Sequence, residues 1–170
     1  MTVQEHGARG TRTGSAVMER PGAMVETLNH LVALASDLRS QVKQSHWNTV
    51  GPNFIALHRL FDKQAGIILE HVDLYAERVR ALRGVARGTV RQAASQSPLE
   101  EIAIGEIEWR DAVGAILERF EQYSQRLTDA IREADEAEDL STQDIFIEAQ
   151  REVDLQAYFL RSHLAGDGMS

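Results

Sequence analysis

The sequence predicts an all-α fold: a four-helix bundle whose middle connection is a long crossover carrying a short extra helix. Three observations predict it. Apolar residues recur in steps of three and four along four separate stretches, which is the helical period and not strand alternation. The three prolines, Pro21, Pro52 and Pro98, each fall where a helix could begin. The 170 residues, 43% apolar and 26% charged, make one domain with a sizeable core and a composition far from that of a disordered chain.

The first stripe runs Val25, Leu28, Leu31/Val32, Ala35, Leu38 and Val42, and the breaker pair Gly51–Pro52 stops it. The second runs Phe54, Leu57, Phe61, Ala65, Ile68, Val72, Tyr75/Ala76, Val79 and Leu82, ending before Gly84. From Asn53 to Leu82 it forms a rod of roughly 45 Å. Residues 84–97 carry no apolar period and read as connection. Ser97 followed by Pro98 resembles an N-cap with proline at the first helical position, so a short helical turn is expected from there to about Ile104. The third stripe is Trp109, Val113, Ile116/Leu117, Phe120, Ser124, Leu127 and Ile131. After the polar stretch Glu133–Leu140, Ser141 with Asp144 resembles a capping box leading Ile145, Ala149, Val153, Gln156/Ala157, Leu160 and Leu164. Two helix pairs separated by a long connection give a ferritin-like topology. The expected domain organisation is a mobile N-terminal tail over 1–20, the bundle over 21–165 and a short C-terminal tail over 166–170.

Composition limits the chemistry. Cysteine is absent, which excludes disulfides, iron–sulfur clusters, thiolate zinc sites and cysteine nucleophiles, so any metal must be held by histidine and carboxylate. No apolar run is long enough to span a membrane, and the N-terminus lacks the apolar core of a signal peptide. A cytoplasmic protein is therefore expected. The net charge of −8 argues against a surface that coats DNA uniformly.

None of the six histidines has a glutamate three residues before it, so the Glu-x-x-His sites that hold metals inside such bundles are missing. Another constellation is present. His46 ends the first helix, His58 and Asp62 stand at i,i+4 on the second, and Asp73 and Glu77 repeat that spacing further along. Each i,i+4 pair projects from one face, a spacing suited to a shared metal ion. The two pairs are roughly 22 Å apart along the helix, but only about 60° apart around it. They cannot close one site within one chain. Two antiparallel copies of the second helix about a twofold axis would bring each 58/62 pair to its partner's 73/77 pair. The midpoint falls between Ile67 and Ile68, beside Gly66, which permits close approach, and an isologous dimer makes two such sites. Plainer readings exist for each piece. The His58/Asp62 pair alone reads as a surface ion pair, Asp73 and Glu77 could balance Arg78 and Arg80, and His46 could cap its helix.

The segment from Lys43 to Gly84 closely resembles the Dps family, the ferritin-like mini-ferritins named as DNA-binding proteins from starved cells. The matching residues are His46-Trp47-Asn48, Gly51 with Phe54, His58 with Asp62, and His71, Asp73, Glu77 and Arg78. Weaker likeness extends over the whole bundle. The resemblance implies an intersubunit ferroxidase centre with two irons, ligated by His46, His58 and Asp62 of one chain and Asp73 and Glu77 of its twofold mate. It also implies a dodecameric shell built from twofold dimers that oxidises Fe(II), usually with hydrogen peroxide, and stores ferric mineral against oxidative stress. Carboxylate and imidazole suit iron in both states, and two nearby irons can deliver two electrons to one peroxide. Trp47 would pack beside the site or intercept a stray radical. Coordination needs neutral imidazole, so oxidation should be lost below about pH 6. Many members carry Asp-Lys and Trp-Phe near the C-terminus. Here the run is Asp154-Leu155 and Tyr158-Phe159, a departure that bears on subunit contacts.

Charge is unevenly placed. Ile131–Glu148 holds seven acids against Arg132, a net of −6. It reads either as a solvated loop or, by the resemblance, as the lining of iron-entry pores, with Asp144 and Glu148 as lining candidates. Neutralising these two should slow iron uptake without changing assembly. Arg78, Arg80, Arg83, Arg87 and Arg91 form the opposite patch, whose first three complement a helix C-terminus. The tail to Arg20 nets only +1 in side-chain charge and has no lysine, so DNA binding is expected to be weak or absent at about 150 mM salt. The rival to a ferroxidase and store is a nucleoid-associated DNA-protecting protein with an incidental metal site. A monomeric or dimeric ferritin-like enzyme is a third reading, disfavoured by the missing Glu-x-x-His motifs.

Overall fold

The computed structural model describes residues 15–165, and the side chains of residues 22–165. Four long helices form the bundle: α1 (Ser15–Asn48), α2 (Phe54–Ala81), α4 (Trp109–Glu136) and α5 (Leu140–Leu164). The crossover between α2 and α4 carries the short α3 (Val90–Gln96), and two-residue strands β1 (Thr49–Val50) and β2 (Ile107–Glu108) pair in parallel, Thr49 opposite Ile107. No helix among the described residues is long and apolar enough to cross a membrane.

The four apolar stripes become one core. Tyr75, Tyr123, Phe61, Phe120 and Phe146 are its largest fully buried side chains. Side-chain pairs give the helix directions. Lys43 meets Asp62 and His46 meets His58, so α1 and α2 are antiparallel. Thr27 bonds Glu133 while Arg119 bonds Gln41, so α4 also runs against α1. It follows that α2 and α4 are parallel, and the crossover must return the length of the bundle to join them.

The boundaries differ from the sequence reading in three places. First, α1 starts at Ser15, so Pro21 lies within it. Gly22 and Ala23 are exposed, and the apolar period begins only after them, where the helix starts to pack. Of the expected N-terminal tail, residues 15–20 are the first turns of α1, and residues 1–14 lie outside the described residues, as does the expected C-terminal tail 166–170.

Second, the extra helix of the crossover is at Val90–Gln96 and not at 98–104. Thr89 and Gln92 form a complete capping box: the Thr89 hydroxyl accepts from Gln92 N, and Gln92 Oε1 accepts from Thr89 N at 3.1 Å. Ser97 is extended, ψ 134°, as expected for the residue before a proline, and it closes α3 instead of opening a helix. Buried Leu99 and Ile102 hold the following segment in non-helical form against the core.

Third, the cap of α5 is Asp139, whose side chain accepts from Thr142 N, and not Ser141. The turn from α4 is therefore only Ala137–Asp139, with Glu138 left-handed at φ 57°. At the other end of the bundle, Gly51 has φ 117°, and a Cβ there would lie 2.8 Å from Trp109 Cδ1. A side chain at 51 would strain the backbone and displace the start of α4.

Candidate metal centre

The last turn of α1 and the second turn of α2 bring His46 and His58 face to face. Their rings stack with centroids 3.7 Å apart and planes 20° from parallel. Each ring holds the other helix: His46 Nδ1 donates to the carbonyl of His58 at 2.7 Å, and His58 Nδ1 donates to the carbonyl of His46 at 2.9 Å. Because both Nδ1 atoms are donors, both Nε2 atoms of the neutral rings carry a free lone pair. Backbone carbonyls orienting an imidazole through Nδ1 are a common outer-sphere arrangement at metal sites.

Asp62 stands one turn beyond His58, exposed, with Oδ1 2.7 Å from Lys43 Nζ. The hydrogen bond from the Lys43 ammonium, reinforced by its charge, holds this carboxyl below the usual range. The expected surface pair of His58 with Asp62 is thus replaced by Lys43 with Asp62. Asp73 and Glu77 are exposed further along α2. They do not balance the arginines next to them, because Arg78 binds Asp139 and Arg80 binds the Gly84 carbonyl. The chain brings His46 and His58 together, leaves Asp62 paired with Lys43 one turn along α2, and places Asp73 and Glu77 further along the same helix. Among the described residues, no three His, Asp or Glu side chains of one chain gather closely enough to hold a metal ion.

Trp47 is 65% exposed, its ring 5.8 Å from Lys43 Nζ. Within the single chain it does not fill the core. Gly66 is also exposed, and a Cβ added there would meet nothing within 4 Å.

Much of the acidic run is used inside the fold. Glu133 accepts from the Thr27 hydroxyl and from Arg126. Burial pushes its carboxyl up, but those bonds outweigh it and leave it below the ordinary range. Asp139 caps α5 and binds Arg78, and Asp135 accepts from Gln143 at 3.2 Å. Asp144 and Glu148 are exposed one turn apart on α5. The arginine patch is likewise engaged at three points: Arg78 with Asp139, Arg80 with the Gly84 carbonyl, and Arg87 with Glu26.

Two features escaped the sequence reading. Lys43 was visible only as one of two lysines, and its pairing with Asp62 depends on how α1 meets α2. The second is a buried chain of polar groups, His71, Tyr75 and Tyr123 leading to Glu152. The only sequence signal for it is that His71 and Tyr75 stand at i,i+4.

Comparison with known proteins adds to this geometry. The profile of the family described as "Ferritin-like domain" matches residues 25–168. The DNA protection during starvation protein of Agrobacterium fabrum is 36% identical over 141 residues, spanning 83% of this chain and 87% of that one. DNA protection during starvation protein 2 of Bacillus anthracis is 30% identical over 83% of this chain and 96% of its own. The structure of Dps from Microbacterium arborescens in the high iron form superposes with a TM-score of 0.82 at 33% identity, covering 90% of this chain and 99% of that one. Dps from Staphylococcus aureus gives a TM-score of 0.81 at 31% identity, covering 85% of this chain and 96% of its own.

Proposed function

The chain belongs to the ferritin-like family, among its DNA-protection-during-starvation (Dps) members, and from that membership we propose that it is a ferroxidase and iron store. Iron storage and DNA protection are the general functions that membership supports. The finer reading is that Fe(II) is oxidised, preferentially by hydrogen peroxide, at a centre shared between two subunits. Ferric mineral then collects inside a dodecameric shell built from twofold dimers.

The observation that carries this reading is the reciprocal pair His46 and His58. Two imidazoles fixed through Nδ1 to opposite helices present two Nε2 lone pairs, and the Asp62 carboxylate stands one turn along α2 from His58. Imidazole with carboxylate is a donor set suited to iron. Three ligands leave the coordination open, and Asp73 and Glu77 of a twofold mate would complete it. The exposure of these two acids, without an ion pair among the described residues, and the open surface over Gly66 fit that arrangement. Two irons would sit at each such centre as substrate, each giving one electron to the oxidant. Trp47, exposed beside His46, would be covered at the same interface.

Asp144 and Glu148 are proposed to line an iron entrance, since they are exposed one turn apart on α5 and, among the described residues, no ion pair engages them. DNA binding is proposed to be weak, because Arg78 and Arg87 already hold carboxylates. A cytoplasmic location, shared with the nucleoid, accords with this reading.

The test is to size the purified protein and to follow ferric absorbance after adding Fe(II) with peroxide or with oxygen. A dodecamer that oxidises iron faster with peroxide is the expected result. In a His46→Ala/His58→Ala variant the initial rate should fall by more than about tenfold, the scale on which even outer-sphere partners act. Undiminished oxidation in that variant would sink the assignment.

A further inference from the structure

The outer face of α2 carries a second charge pattern, separate from the ligands of the proposed centre. Lys63 and Glu70 are both exposed, and among the described residues neither side chain takes part in an ion pair or a hydrogen bond. Their own helix pairs neither of them. No acid stands three or four residues from Lys63, and no base stands three or four residues from Glu70. The two are separated from each other by two turns, about 10 Å of helix.

Position around the helix decides what they can meet. Counting about 100° per residue from Gly66, Lys63 lies roughly 60° and Glu70 roughly 40° to one side, while His58 and Asp62 lie to the other. That other side is where α1 docks, since His46 stacks on His58 and Lys43 binds Asp62. Lys63 and Glu70 therefore share the flank of α2 turned away from α1. A twofold between two antiparallel α2 helices lays this flank beside the same flank of the other copy. With the axis between Ile67 and Ile68, Lys63 falls opposite Val72 of the partner subunit, within about 3 Å of rise of Glu70 of the partner subunit. Lysine and glutamate side chains span that offset, and symmetry makes the contact twice. A parallel pairing does the reverse. It sets equivalent positions against each other, lysine on lysine and glutamate on glutamate.

We propose that Lys63 and Glu70 form reciprocal ion pairs with Glu70 and Lys63 of the partner subunit, and that this pattern selects the antiparallel orientation in which two copies of the chain meet. The proposal rests on the twofold reading given above. The register that joins Lys63 to Glu70 of the partner subunit is the one that brings His58 and Asp62 to Asp73 and Glu77 of the partner subunit, so the charges at the middle of the helix set the ligands toward its ends. The same register places Asp62 opposite Asp73 of the partner subunit, two like charges before any cation binds. Two ion pairs flanking Gly66 offset that repulsion. One exposed pair contributes little to affinity. Orientation depends instead on the difference between two attractions and two repulsions, which is larger.

The test is charge exchange in the full-length, iron-free protein, read by sedimentation over a dilution series at low ionic strength. Both positions are exposed, so helical content should stay that of the unsubstituted protein. Lys63→Glu and Glu70→Lys should each raise the concentration at which the assembly dissociates by about tenfold or more, because both contacts turn repulsive. The defect should shrink in about 0.5 M salt. The double variant Lys63→Glu/Glu70→Lys should assemble like the unsubstituted protein. Mixing the two single variants should restore assembly as well, since one chain then carries two acids and the other two lysines at these positions. Single variants that assemble normally, or defects that neither the double variant nor mixing repairs, overturn the proposal alone. Gly66→Phe, which blocks the helix contact without altering charge, is run alongside. An assembly left intact by Gly66→Phe overturns the twofold reading and the proposal with it.

Discussion

Lys43 Nζ lies 2.7 Å from Asp62 Oδ1, so one of the two lysines in the chain occupies a carboxylate of the candidate metal centre. An ammonium beside the ligands repels an incoming Fe(II) and competes with it for Asp62. Replacing Lys43 by Met keeps the stem and removes the charge. Anaerobic titration should then show tighter Fe(II) binding than in the unsubstituted protein, and equal or weaker binding would show that Lys43 does not compete.

Gly66 tests the subunit arrangement. It is exposed with open space at its Cβ, so a large side chain there is compatible with the fold of the single chain. Gly66→Phe should hold the two α2 helices apart and reduce the assembly to smaller species on sizing, with helical content unchanged. The same variant should lose iron oxidation, because the proposed centre draws ligands from both chains. An intact assembly with full oxidation would argue against an α2 twofold.

Asp139 links stability to pH. Burial raises its carboxyl, but the bonds from Thr142 hydroxyl at 2.5 Å, Thr142 N at 3.1 Å and Arg78 at 2.8 Å more than offset this and depress it below the ordinary range. A depressed acid contributes stability above its unfolded pKa and loses it as pH falls through the folded value. Asp139→Ala should therefore cost about 1–2 kcal/mol at neutral pH, mainly as a lost helix cap. The difference in urea midpoint should vanish in strong acid. A difference independent of pH would show that ionisation is not what Asp139 contributes.

Asn29 fastens the crossover. It is fully buried on α1, donating to the Val85 carbonyl at 3.1 Å and accepting from Arg87 N at 2.8 Å. Asn29→Ala leaves two backbone groups without partners and should cost about 2–3 kcal/mol. Faster amide exchange at Arg87 should accompany the loss, and unchanged exchange would place the anchor of the crossover elsewhere.

The four long helices were legible in the sequence because burying one face of a helix forces an apolar period of three and four. Cap and turn positions were less legible, since they depend on competition between nearby signals. Ser97–Pro98 has the residues of a helix start, but Thr89 and Gln92 satisfy each other, and Leu99 and Ile102 are drawn into the core. Ser141 with Asp144 likewise yields to Asp139, which binds Arg78 of another helix as well as its own N-terminus.

For the candidate site, the spacing of His46, His58, Asp62, Asp73 and Glu77 could be read in one dimension, because helix geometry converts residue number into position and angle. By itself the sequence determined the four-helix architecture, the absence of thiolate chemistry and the impossibility of joining all five residues in one chain. Only the tertiary structure decided which nitrogens of His46 and His58 are free, that Lys43 holds Asp62, and that much of the acidic run serves caps and interhelical ion pairs. It also decided that His71, Tyr123, Tyr75 and Glu152 form one line through the core. The reason is physical. Periodicity reports which face of a helix is buried, whereas a hydrogen bond between residues tens of positions apart depends on how two faces dock.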